Sequence, residues 1–247
     1  MQQQTKTSTS FLLFSSLVLI IVLITSPLGY QYGLVPLQPS LVGLMIAFVG
    51  SSILVAVGAV LLIRAVRASL GADRNLLAIA IFLGLLPLVI LLPHLSKALS
   101  LPMINDISTD TVNPPKFVDS VPRRVGSTNS VAYGGSGSWS ADKLAAVTRS
   151  AYPDLKTQST SISFSEAVHR SKLILEDMGL EIIVSDIDLG RVEATATSFW
   201  FGFKDDLVVR VAENEGRVMI DLRSKSRVGQ ADFGSNAERI REFIRRF

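Results

Sequence analysis

LVGLMIAFVGSSILVAVGAVLLI, Leu41 to Ile63, is 23 residues without one charged side chain. As a helix rising about 1.5 Å per residue it covers the roughly 30 Å hydrocarbon core of a bilayer. Nothing but a helix satisfies its own backbone hydrogen bonds over such a length in lipid. Downstream, Leu76 to Leu95 adds 20 residues without a formal charge, with Pro87, Pro93 and His94 in its last third. Upstream, FLLFSSLVLIIVLI (Phe11 to Ile24) weakens through Pro27 and Gly29 towards Leu34. Three transmembrane helices are predicted within residues 1–100. A cleaved signal peptide over Met1 to Ser26 is the rival reading. It is disfavoured, because Lys6 is the lone charge before the run and no Ala-x-Ala site follows.

The loop between the second and third helices carries Arg64, Arg67 and Arg74 against Asp73, whereas Thr25 to Ser40 is uncharged. Basic loops stay on the cytoplasmic side. A multi-pass protein of the cytoplasmic membrane is therefore expected, its amino terminus inside and everything after Lys97 outside. The lipid bilayer is its first partner.

The 247 residues are 48% hydrophobic and 18% charged, against about 25% charged in soluble domains, which excludes a wholly soluble chain. From Leu101 onward there are 19 basic and 20 acidic residues, so the basic pI of about 9.3 belongs to the membrane half. A nucleic-acid partner is not expected, since it would need a basic face with stacking aromatics. The absence of cysteine rules out disulfides, thiolate metal sites and thiol nucleophiles.

Residues 101–140 read as an extended connector, because Pro102, Pro114, Pro115, Pro122 and the YGGSGSWS stretch (Tyr133 to Ser140) favour extended and flexible backbone. Gly134, Gly135 and Gly137 precede a possible helix at Ala141 to Tyr152. They lack the Lys-Ser/Thr ending and the leading strand of a phosphate loop. Residues 141–247 read as a compact α+β domain. Ser163-Phe-Ser-Glu166 is a capping box opening a helix that Gly179 stops. Alternating segments follow at Leu180 to Ser185, Arg191 to Phe199, Asp206 to Ala212 and Arg217 to Ser226, with turns at Asp188-Leu-Gly190 and Asn214-Glu-Gly216. A second capping box, Ser235-Asn-Ala-Glu238, starts the last helix. The expected architecture is a four-stranded antiparallel meander with two helices on one face.

No residue is assigned a catalytic role, and no cofactor or metal is expected. His94 ends a membrane helix, and His169 is a surface position with no partner fixed in sequence. Asp186 and Asp188 have metal-ligand spacing, but aspartate is also a common turn residue, and that reading is preferred. Asp205 and Asp206 follow the aromatic Phe199-Trp-Phe-Gly-Phe203 and could bind a cation, pair with arginines or act as a general base. Arg223, Lys225 and Arg227 fall on one side of the last strand, Ser224 and Ser226 on the other, with Asp232 and Asn236 beyond. The three cations could hold a phosphate, a lipid headgroup or the aspartate pair. In a purely structural reading, Asp232 and Asn236 cap the last helix and the arginines balance Asp221 and Asp206. Trp200 and Phe201 are candidate membrane contacts, since such rings favour the interface.

Asn105-Asp-Ile-Ser-Thr-Asp110, Asn113-Pro-Pro-Lys-Phe117, Tyr152-Pro-Asp-Leu155, Phe201-Gly-Phe-Lys-Asp-Asp206, Val208-Val-Arg210 and Arg223-Ser-Lys-Ser-Arg-Val-Gly229 resemble the family catalogued as domain of unknown function 1499 (DUF1499). Asp232, Gly234, Asn236 and Arg239-Ile240 extend the resemblance, which covers about Leu101 to Phe247. It implies a membrane-associated domain of bacterial or plastid type, here in a form preceded by three helices, and brings no reaction, substrate or ligand. Asn105 departs from the related Ile-His-Asp-Ile segment, which argues against a histidine-dependent site there. The strand order also resembles the helix-grip modules of outer-membrane assembly lipoproteins, in shape alone.

The leading functional expectation is a non-enzymatic extracytoplasmic module that holds an envelope protein or a lipid headgroup. Its surface would join Asp205, Asp206, Arg210, Arg223, Ser224, Ser226, Arg227, Asp232 and Asn236. On that reading, charge reversal at Arg227 leaves folding intact and abolishes partner capture. The alternative is a metal-dependent hydrolase or transferase using Asp205 and Asp206.

Overall fold

The computed structural model describes residues 7–135 and 139–247; Lys6 and Gly137, both used above, lie outside them. The chain divides into two compact units, Met1–Ser96 and Lys97–Phe247.

The first unit is built from α1 (Thr7–Gln31), α2 (Leu37–Arg67) and α3 (Gly71–Ser100), each long and apolar enough to cross a membrane. Their outward positions, among them Phe14, Ile21, Ile53 and Phe82, are large and apolar, as lipid contact requires. Inward positions mix leucines (Leu12, Leu23, Leu54, Leu77) with small residues such as Ser16, Ala47, Ser51 and Gly84. A methyl group at Gly43 would sit 3.0 Å from the Ser26 Cβ, so glycine there lets α1 and α2 approach closely. The inward Ser16 donates to the Leu13 carbonyl at 2.7 Å and Ser26 to that of Val22 at 2.6 Å, which satisfies both hydroxyls within their own turns.

The second unit is an antiparallel sheet domain. The four strands read from the alternation are present as β3 (Glu181–Asp186), β4 (Arg191–Thr197), β5 (Lys204–Asn214) and β6 (Arg217–Ser226). Glu215 and Gly216 both have positive φ, 50° and 75°, the backbone of a tight turn whose twist matches its strands. The sheet has six strands, however, not four. β1 (Asp106–Ser108) and β2 (Gln158–Thr160) both pair with β6, along Arg223–Lys225 and Val218–Ile220 respectively. Three residues are too few to show an alternation, yet they close the edge that β6 would otherwise leave open.

One face of the sheet is apolar. Val192, Ala194, Leu207, Val209, Val211, Ile220 and Leu222 join one core with Val168 and Leu175 of α5 (Phe164–Asp177) and Ile240 and Phe243 of α6 (Ser235–Arg246). Leu144 of α4 (Ala141–Ala151) belongs to the same core. Helix α5 starts as its capping box dictates, Ser163 accepting from the Glu166 N–H. Helix α6 does not use Ser235 in that way: its cap position is Gly234, at φ 83°.

The stretch read as an extended connector is largely irregular, but it is not a free tether. Besides β1 it forms a 3-10 turn, Val121–Arg124, and its Ile104, Ile107 and Phe117 are buried. Ile104 and Ile107 tie its start into the apolar core, and the charged side of the sheet holds the rest.

Candidate functional site

Strand alternation sends the polar residues of β4, β5 and β6 to two different places. Register pairs Asp205 with Ser226, Asp206 with Lys225 and Leu207 with Ser224. Asp205, Ser224 and Ser226 therefore share the apolar, helix-bearing side. Asp206, Arg223 and Lys225 share the other.

On the helix side, Asn236 is fully buried and acts as a clamp between α6 and the sheet edge. Its Oδ1 accepts from Ser224 Oγ at 2.6 Å, and its Nδ2 donates to Ser226 Oγ at 3.0 Å and to the Asn105 carbonyl at 3.2 Å. Arg239 donates to Asn236 Oδ1 at 2.6 Å and to Asp205 Oδ2 at 2.9 Å. Asp232 accepts from the N–H groups of Gly234 and Asn236, each at 2.9 Å, and so satisfies two orphan donors of the first turn. Burial pushes the Asp232 carboxyl above the usual range, although those two donors oppose it.

On the opposite face lies a layer of ion pairs roofed by residues 109–133. Asp206 is fully buried, accepts from Arg227 Nη2 at 2.7 Å and from Thr195 Oγ1 at 2.8 Å, and pairs also with Arg124 of the 3-10 turn. Asp106 receives Arg223 through two bonds of 2.8 and 2.9 Å and Lys225 Nζ at 2.9 Å. The Arg223 guanidinium also lies 4.9 Å from the Phe117 ring centre and 5.3 Å from that of Tyr133, an arrangement favourable to a cation. Burial, reinforced by the Asp106 charge, pushes the Tyr133 phenol up to about 12. Lys225 is wholly buried; its Nζ donates also to the Ala132 carbonyl at 2.7 Å, and burial pulls its ammonium below the usual lysine range. A void of about 10 Å³ beside it, lined by Asn105, Asp106 and Trp139 among others, is about the size of one water.

Further along the same face the ratio of charges reverses. Arg210 alone serves Asp110 and Asp221, both at 2.8 Å, and donates to the Asn113 carbonyl. Arg191 serves Asp119 at 2.6 Å and lies 3.3 Å from Glu193. Glu193, fully buried, instead accepts the backbone N–H groups of Val118, Asp119 and Ser120. Between this end of the roof and the sheet is an open groove of about 280 Å³, lined by residues 113–116 and by Val118, Leu189, Arg191, Val208 and Arg210.

The nine residues singled out in the sequence are thus close in the fold but not on one surface. Asp205 and Asp206 point to opposite faces and cannot act on one ligand. The three cations read as sharing a face do share it, and they hold Asp106 and Asp206. Of the nine, Arg210 lines the groove. Among the described residues no three His, Asp or Glu side chains gather as a metal site would require. Asp186 accepts from the Leu189 N–H and so serves its hairpin turn. In the β4–β5 connection Phe199 is 88% exposed, whereas Trp200 and Phe201 are half-buried and Phe201 stacks on Phe203 at 4.8 Å.

Asp106, Arg124, Arg191 and Glu193 were missed as members of the charged layer. Glu193 and Thr195 could have been found from their alternation with Val192, Ala194 and Ala196. Asp106 and Arg124 carry no local signal, since their partners are about a hundred residues away in sequence.

A family model described as "Protein of unknown function (DUF1499)" matches residues 106–247. No curated protein and no solved structure matches the chain. The match begins at Asp106, the residue that anchors the charged layer, and ends with α6, so it takes in the whole sheet and its roof. The chain belongs to the DUF1499 family.

Proposed function

We propose that this chain is a membrane-anchored, non-enzymatic binding module whose domain lies outside the cytoplasmic membrane and holds an envelope protein or a lipid headgroup. One observation carries the reading: buried ion pairs fix the roof over the sheet and leave one end of it open as a groove with arginines in its wall. The other candidate site residues, Asp205, Asp206, Arg223, Ser224, Ser226, Arg227, Asp232 and Asn236, support that surface rather than form it. Hydrolase or transferase chemistry is not favoured, because Asp205 and Asp206 diverge. In this reading the Phe199-Trp200-Phe201 connection is the element that touches the membrane, with Phe199 its protruding ring.

A photo-crosslinking residue tests the module in intact membranes. At Lys116 or Leu189, on the groove, a discrete adduct is expected. At His169, exposed on α5, none is expected. Equal labelling at all three positions, or at none, removes the proposal.

Orientation rests on Arg64, Arg67 and Arg74 staying cytoplasmic. A phosphatase reporter fused after Phe247 is expected to be active, as it is outside the cytoplasm, and a cytoplasmic β-galactosidase fusion at the same point inactive. The reverse pattern would invert the topology.

A further inference from the structure

We infer that the domain docks on the bilayer surface through the end of its sheet at which α3 delivers the chain; this extends the reading of Phe199 as a membrane contact and rests on it. Four segments meet at that end: the entry to β1, the β4–β5 loop, the exit from β6 and the loop after the 3-10 turn. Backbone bonds hold them together. The Arg227 N–H donates to the Lys204 carbonyl, the Asn129 N–H to that of Arg227 and the Asp232 N–H to that of Ile104. Each segment carries an exposed apolar side chain: Met103 (56%), Phe199 (88%), Phe233 (44%) and Val125 (93%). None of the four belongs to the apolar core. Phe233 stands there at φ 52°, left-handed backbone that costs a bulky residue free energy, without burying its ring in return. Apolar side chains gathered from separate loops at one end of a domain mark an interaction surface.

Charge and connectivity name the occupant. Lys204, at the foot of the Phe199 loop, is exposed and has no ion pair among the described residues. The acids nearby are engaged: Glu238 with Lys97, Asp205 with Arg239, and Asp232 with the first N–H groups of α6. Apolar rings beside an unpaired ammonium suit the boundary of an anionic leaflet, where rings enter the headgroup layer and the cation meets phosphates. The turns at the opposite end expose Asp188, Glu213 and Glu215, which such a leaflet repels. Only five residues, Leu101 to Asn105, join α3 to β1, a reach of at most about 17 Å. A helix that crosses the bilayer therefore delivers this end of the sheet, and not the other, to the lipid surface.

The chain has no cysteine, so one introduced thiol carries one nitroxide label. Val125→Cys and, as the control, Asp188→Cys are labelled on the full chain in nanodiscs of equimolar phosphatidylcholine and phosphatidylglycerol. Relaxation by oxygen, which concentrates in lipid, is compared with relaxation by a water-soluble nickel chelate. The Val125 label is expected to favour oxygen, and the Asp188 label nickel. Phe199→Asp, at an exposed position, is expected to return the Val125 label to the aqueous pattern while leaving the urea transition in place. Lys204→Ala is expected to lower the docked-to-free ratio by about fivefold in these nanodiscs and to leave it unchanged in pure phosphatidylcholine. The inference is overturned if the Val125 and Asp188 labels behave alike, or if Phe199→Asp leaves the Val125 label unchanged. A Val125 label shielded from both oxygen and nickel overturns it too, by showing that protein covers this end. Discrete crosslinks from Lys116 beside an aqueous Val125 label fail the docking and leave the binding module standing; a lipid-facing Val125 label without those crosslinks does the reverse.

Discussion

Arg227→Glu is expected to unfold the sheet domain rather than to silence a surface. The Arg227 side chain is 11% exposed and Asp206 wholly buried, and Arg227 donates to both oxygens of that carboxylate. Its Nη1 also donates to the Arg123 carbonyl at 2.6 Å, which ties the 3-10 turn to the end of β6. Reversal would set two carboxylates against one remaining cation, Arg124, in a largely buried site where charges are poorly screened. Breaking a buried ion pair by changing one partner costs about 3–5 kcal/mol, and a whole domain is stable by only about 5–15 kcal/mol. Urea titration of the full chain in detergent, followed by tryptophan fluorescence, should show the domain transition lost or moved far towards low denaturant. Arg227→Met keeps the Arg124–Asp206 pair and should be much milder. A native transition in the reversed variant would show that the ion-pair layer contributes little to stability.

That result opposes what the sequence suggests for the same substitution, and the reason is instructive. The alternation in Arg217 to Ser226 correctly places Arg223 and Lys225 opposite Ser224 and Ser226, but alternation reports which side of a strand a residue takes, not what covers that side. A charged face ordinarily reads as a solvated one. Here residues 109–133 cover it, and the connector they belong to, residues 101–140 with four prolines and scattered glycines, reads as a tether. The roof is held instead by pairs such as Arg124–Asp206 and Arg223–Asp106, which join distant parts of the chain and leave no periodic trace. The same limit explains Asp205 and Asp206. Adjacency in sequence suggested a carboxylate pair, while adjacency within a strand guarantees opposite faces. What was legible is what periodicity encodes: three apolar spans, four long strands and the α5 cap. Gly179 and Gly216, both at positive φ, likewise ended their elements as glycine there demands.

The ion-pair layer also makes an asymmetric prediction about its own members. Asp106 is one carboxylate serving two cations, Arg223 and Lys225, and all three are essentially buried. Removing Lys225 leaves a complete pair, because Arg223 still reaches both Asp106 oxygens and keeps its contacts with Phe117 and Tyr133. It also removes an ammonium that burial already disfavours, at the cost of the bond to the Ala132 carbonyl. Lys225→Met should therefore lie within about 1 kcal/mol of the parent, since a net hydrogen bond is worth about that much. Asp106→Asn instead strands two cations in a buried layer, and about 3–5 kcal/mol of stability should go with it. Adding Lys225→Met to Asp106→Asn should then recover part of the loss, because one of the two stranded charges is gone. Denaturant midpoints of the three variants decide the point. Equal losses from Asp106→Asn and Lys225→Met would mean that the layer is held by packing, with charge incidental, whereas a partial rescue in the double variant identifies Asp106 as the electrostatic anchor of the roof.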